Sequence, residues 1–79
     1  MTPYLSQIQL FPLDYAPDGW HLCDGTILPI VSNVALFSLI GCKFGGDCLR
    51  DFALPDYRAI SPPGSNYFIC IHGTYPVRP

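Results

Sequence analysis

Four cysteines (Cys23, Cys42, Cys48, Cys70) and two histidines (His21, His72) carry the most reactive chemistry in this 79-residue chain. Cysteine and imidazole together could ligate a soft metal, and His21-Leu22-Cys23 sets two potential ligands on one face of a strand. The spacing argues against it: no Cys-x-x-Cys knuckle is present, so no metal or other cofactor is expected. An even cysteine count in an oxidising setting reads instead as two disulfides, with three possible connectivities. A thiol or serine hydrolase would need a nucleophile beside a base oriented by a third group. Cys23 and His21 are too local for that arrangement. Asp47, Asp51 and Asp56 lie in a turn-rich stretch, where carboxylates brace loops more often than they move protons. No catalytic residue is assigned, and an enzyme is not expected.

The aromatic side chains Tyr15, Trp20, Phe37, Phe44, Phe52, Tyr67 and Phe68 could stack on sugars. In so short a chain they are needed first for a core and for contacts between subunits. Tyr4, Tyr57 and Tyr75, flanked by prolines and polar residues, are the better candidates for exposed contacts. Neither Asn33 nor Asn66 opens a glycosylation sequon, because Ala35 and Phe68 hold the third positions.

The elements that position these residues belong to one domain at most. A domain of this size buries only about 60% of the surface its unfolded chain exposes, so it needs staples or association. The composition points to association. The chain is 49% hydrophobic and 13% charged, against roughly 25% charged in ordinary soluble domains. Six acidic and four basic side chains are scattered singly, leaving no basic patch for nucleic acid. Asp, Pro or Gly interrupts every apolar run before it reaches the length of a membrane span. Residues 1–10 lack the charged start, apolar middle and cleavage site of a classical signal peptide, so release by lysis or a dedicated route is expected.

Along the chain, the alternation Gln7-Ile8-Gln9-Leu10 predicts a half-buried strand that stops at Pro12. Trp20–Cys23 and Thr26–Leu28, joined by Asp24-Gly25, predict a hairpin with a two-residue primed turn. Ser32 is placed to cap a short helix carrying Val34, Leu36, Phe37, Leu39 and Ile40 and ending at Gly41. Gly45-Gly46 marks a bend, and Phe52-Ala53-Leu54 a short extended piece stopped by Pro55. After Pro62-Pro63-Gly64, the uncharged run Tyr67-Phe68-Ile69-Cys70-Ile71 predicts a final strand. The fold class is α+β, mostly β.

Ordered blocks along this path carry a resemblance: Ile8-Gln9-Leu10-Phe11, Ala16-Pro17-Asp18-Gly19-Trp20, Cys23-Asp24-Gly25 and Leu28-Pro29-Ile30. They continue through Asn33 to Gly41, Phe44-Gly45-Gly46-Asp47, and Phe52-Ala53-Leu54-Pro55-Asp56-Tyr57-Arg58. The chain resembles the phage tail collar domain family, also described as microcystin-dependent proteins, in a short form. The resemblance implies a structural role in fibres of tailed phages or related particles, often as trimers, and no catalytic residues. It divides the chain into a collar-like domain over 1–61, a Pro/Gly linker over 62–66, and a C-terminal strand and tail over 67–79. The longer second half with fibre-tip features is not matched, so receptor binding does not follow directly.

Against the family pattern, Cys42 and Cys48 replace a small polar residue and a glycine, and Arg58-Ala59-Ile60 replaces Arg-Gly-Arg. The joint replacement implies a Cys42–Cys48 disulfide across the Gly45-Gly46 bend. Cys23 and Cys70 are expected to pair if the final strand lies beside the hairpin, within one subunit or between two. Both faces of the final strand are apolar, which makes Tyr67, Phe68, Ile69 and Ile71, with Tyr75, candidates for a subunit interface in the same or a neighbouring sheet. The expected function is a self-assembling structural subunit of an extracellular or virion fibre, as a homo-oligomeric trimer or helical filament. The second reading is a fibre-tip module that recognises a cell-surface glycan or receptor.

Overall fold

A computed structural model describes residues 3–76; Val77 and the rest of the predicted tail lie outside the described residues. The elements are β1 (Ile8–Phe11), β2 (Trp20–Leu22), β3 (Ile27–Pro29), α1 (Val34–Ile40), β4 (Asp51–Ala53) and β5 (Asn66–Cys70). A short 3-10 turn spans Arg58–Ile60. The fold is α+β and mostly β, with two antiparallel sheets: β1-β5-β2 and β3-β4.

The last strand in sequence is the central strand of the larger sheet. β5 pairs β1 through Ile8↔Ile69 and Leu10↔Tyr67, and pairs β2 through Trp20↔Cys70 and Leu22↔Phe68. Because paired residues share a face, Ile8, Leu10, His21, Tyr67 and Ile69 lie on one side of the sheet. Phe11, Trp20, Phe68 and Cys70 lie on the other. The main core forms against the first side, where Ile69 meets Leu5, Cys23, Leu36, Phe52 and Leu54. On the second side Phe11 covers Phe68 with ring centroids 5.8 Å apart and meets Trp20 edge-on at 5.2 Å. Both faces of β5 are thus covered within the chain, and Pro62 to Ser65 of the predicted linker forms a turn, with the Ser65 amide donating to Pro62 O at 3.1 Å.

The predicted hairpin between Trp20–Cys23 and Thr26–Leu28 does not form. β2 pairs β5 and β3 pairs β4, so the two arms belong to different sheets. A type I′ turn needs positive φ at both central residues, but only Gly25 has it (φ 81). Asp24 instead folds back on Thr26, accepting from its amide at 3.1 Å and from its hydroxyl. This side-chain turn sends the chain from one sheet to the other.

The helix starts one residue later than predicted, with Asn33 as its cap residue. Asn33 Nδ2 donates back to Pro29 O at 2.9 Å, which ties the helix start to β3. Gly41 ends it, its amide donating to Phe37 O. β1 is not half-buried as predicted: Ile8, Gln9 and Leu10 are all exposed, and only Phe11 is half-buried.

Candidate functional site

The outer edge of β1 has no strand partner among the described residues. Cys70 donates to Gln7 O on the β1 side, while the Cys23 amide donates to Tyr67 O on the β2 side. Antiparallel ladders alternate between bonded and non-bonded pairs, so β5 bonds β1 through Asn66, Phe68 and Cys70. Ile8 and Leu10 therefore sit at non-bonded positions, and their N–H and C=O groups point away from β5 to the open edge. The two residues are 36% and 43% exposed.

The opposite edge, on β2, is partly closed by local bonds. Trp20 N–H donates to Pro17 O at 3.0 Å. Leu22 O accepts from the Asp24 amide at 2.9 Å and from His21 Nδ1 at 2.8 Å. Among the described residues, one edge of the sheet is blunted and the other is open.

The predicted interface residues are divided by the fold. Phe68 and Ile69 are buried within the folded chain itself, at 1% and 0% exposure. Tyr67 is half-buried and meets Tyr57 edge-on at 5.8 Å. Ile71 is half-buried against the core. Tyr75 is exposed, with its hydroxyl 2.8 Å from Ser38 Oγ. Ile8 and Leu10 were not among the predicted contact residues. Their signal was a charge-free stretch from Tyr4 to Leu13, read as strand alternation rather than as an edge without gatekeepers.

Cys42 and Cys48 are joined by a disulfide, with Cα atoms 5.7 Å apart. The loop they close is held by Asp47, whose Oδ1 accepts from the amides of Leu49, Arg50 and Asp51 at 2.9, 2.7 and 3.1 Å. The amides of Arg50, Asp51 and Leu49, in that order, hold its carboxyl below the usual range. Within the chain the expected Cys23–Cys70 bridge does not form, and both are buried free thiols. Cys23 continues β2 in register with Tyr67, on the core side, whereas Cys70 faces the Trp20 side. They stand on opposite faces of one sheet and three residues apart along it, beyond the reach of a disulfide. Burial, with the Asp24 charge adding to it, pushes the Cys23 thiol up to about 11; burial also raises Cys70.

Arg58 clamps Asp56 with Nε to Oδ1 at 2.9 Å and a terminal nitrogen to Oδ2 at 2.8 Å. This bond lowers the exposed Asp56 carboxyl to about 2. Among the described residues, no three His, Cys, Asp or Glu side chains gather as a metal site. No described helix is long and apolar enough to cross a membrane.

No curated protein matches the chain. The family model of the phage tail collar domain matches residues 6–62, from the residue before Gln7 through the Pro62 turn. That span holds β1 to β4, α1 and the disulfide loop, and it ends before β5, the strand that joins β1 to β2. With most of its length matched, the chain belongs to the phage tail collar domain family, a family of structural tail-fibre domains.

Proposed function

We propose that the chain is a self-assembling structural subunit of a phage-tail-type fibre, associated with virions or released extracellularly. The observation that carries this reading is the amount of large apolar side chain left uncovered by a folded protomer. Ile27, Val31, Val34, Phe44, Leu49 and Ile60 are all exposed, Val31 and Leu49 at 83% and 88%. In a chain with so few charges, these uncovered residues are available for contact with further copies. The family membership supports the same reading, as a structural part rather than a catalyst.

Copies related by one head-to-tail contact give a closed trimer if the rotation closes and a helical filament if it does not. Negative-stain microscopy of the purified full-length protein tests this. Ordered rings or fibres are expected; isolated particles of single-chain size contradict it. Selective retention of the same material on a glycan array would favour the tip-module reading instead.

A further inference from the structure

We infer that the open β1 edge pairs with β1 of a second copy, antiparallel and across a two-fold axis centred on Gln9. The inference rests on the self-assembly reading and names the contact through which two chains join.

The backbone fixes the register. Outward groups in β1 belong to alternate residues, Ile8 and Leu10, with Ser6 and Pro12 next in line on either side. Ser6 is turned inward, its backbone at a positive φ of 72 and its amide donating to Cys70 O at 2.9 Å. Pro12 has no amide hydrogen to give. A symmetric antiparallel pair that uses every remaining donor and acceptor must therefore set Ile8 against Leu10 of the second copy, and Leu10 against its Ile8. Each such pair exchanges two N–H···O bonds. Sliding the strands so that Leu10 meets Leu10 places Ile8 opposite Pro12 and leaves the Ile8 carbonyls without donors. Setting Ile8 against Ile8 places Leu10 opposite Ser6, whose amide is already used.

The side chains agree with this register. Ile8 and Leu10 of opposite copies become directly paired apolar neighbours on the core side of the sheet, covering the surface that each exposes alone. On the other face the two Gln9 side chains meet across the axis, where an amide can both donate and accept. No charge opposes the approach, because Tyr4 to Leu13 contains none. Edge strands that stay unpaired in natural proteins are usually guarded by a lysine, a proline, a bulge or a covering loop. β1 has the bulge and the proline only at its two ends, where they delimit the docking segment. The partly closed β2 edge stops the sheet from growing at its other side, so this contact closes on two copies. The trimer or filament proposed above then needs a second, head-to-tail contact beside this one, for which the exposed apolar surface elsewhere is available.

The test combines cross-linking with mass. Gln9→Cys places two thiols at a non-bonded pair on the axis, and oxidation should convert most of the protein to a reducible covalent dimer. Tyr15→Cys, also exposed but off the strand, should not cross-link. Leu10→Lys, with its side chain already at the surface, should retain the native circular dichroism and lower the light-scattering mass by half or more relative to wild type. Wild-type protein that assembles, but whose mass Leu10→Lys leaves unchanged and whose Gln9→Cys variant does not cross-link, overturns this contact and leaves self-assembly standing. Wild-type protein that remains a single chain at every concentration overturns both.

Discussion

Gly46 lies so close to Phe52 that a Cβ at position 46 would stand 2.5 Å from the Phe52 Cα and 3.0 Å from its carbonyl carbon. The glycine also holds φ at 92, where a side chain is strained regardless of space. Gly46→Ala should therefore force the disulfide loop away from β4 and destabilise the fold by roughly 2–4 kcal/mol, combining backbone strain with overpacking. Chemical denaturation of the variant beside wild type measures it; a change within error would mean that the loop does not pack on Phe52.

The Cys42–Cys48 disulfide closes a loop of sequence separation 6. The chain-entropy model gives about 2 kcal/mol for so short a ring. Replacing both cysteines with serine should lower stability by about that amount while the hydrogen bonds to Asp47 keep the loop shape. An unreduced digest should yield the two half-cystines in one linked peptide, and free thiols at both positions would contradict the assignment.

Cys23 and Cys70 should be silent towards thiol reagents in the native protein and both react after unfolding. Alkali adds a second signature. The folded Cys23 thiol resists ionisation until about pH 11, whereas an unfolded cysteine ionises near 8.5. The unfolded state thus loses its proton first, and stability should fall as pH rises through that window. Cys23→Ala should reduce this alkaline slope; an unchanged slope would exclude the thiol as its source.

Acid should weaken the fold through Asp47 and Asp56, whose carboxyls are both held below the normal range. Groups with depressed folded pKa values stabilise above the unfolded value, about 4, and lose that contribution as pH falls towards the folded one. For Asp56 the loss should extend down to about 2. Asp47→Asn keeps an acceptor oxygen but cannot ionise, so its Tm should vary less than wild type across this acid range. Parallel curves for the two proteins would remove Asp47 from the account.

Ending the chain at Ser61 removes β5, the strand paired to both β1 and β2. Phe68, Ile69 and Cys70, each at most 1% exposed, leave the interior with it. The truncated chain should show no cooperative unfolding transition. A folded, cooperative fragment would mean that β5 is dispensable to the sheet.

What the sequence made legible was local. The helix between Asn33 and Gly41, the Phe52 strand, the charge-free last strand and the Cys42–Cys48 loop all follow from residues within a few positions of one another. Pairing across the chain did not follow. Asp24-Gly25 has hairpin chemistry, but the Asp24 carboxylate is taken by Thr26, and β2 finds its partner in β5, more than forty residues on. Once β5 enters between β1 and β2, parity places Cys23 and Cys70 on opposite faces and buries Phe68 and Ile69 inside the protomer. The same event leaves Ile8 and Leu10 at the outer edge. None of these outcomes can be read from local spacing, since each depends on which strand fills the centre of the sheet.

The claim that the chain is built to assemble is tested most directly by sedimentation velocity of the full-length wild-type protein over a wide concentration range. Species of two or more chains, growing with concentration, are the expected result. A single boundary at the mass of one chain, 8.8 kDa, at every concentration would contradict it.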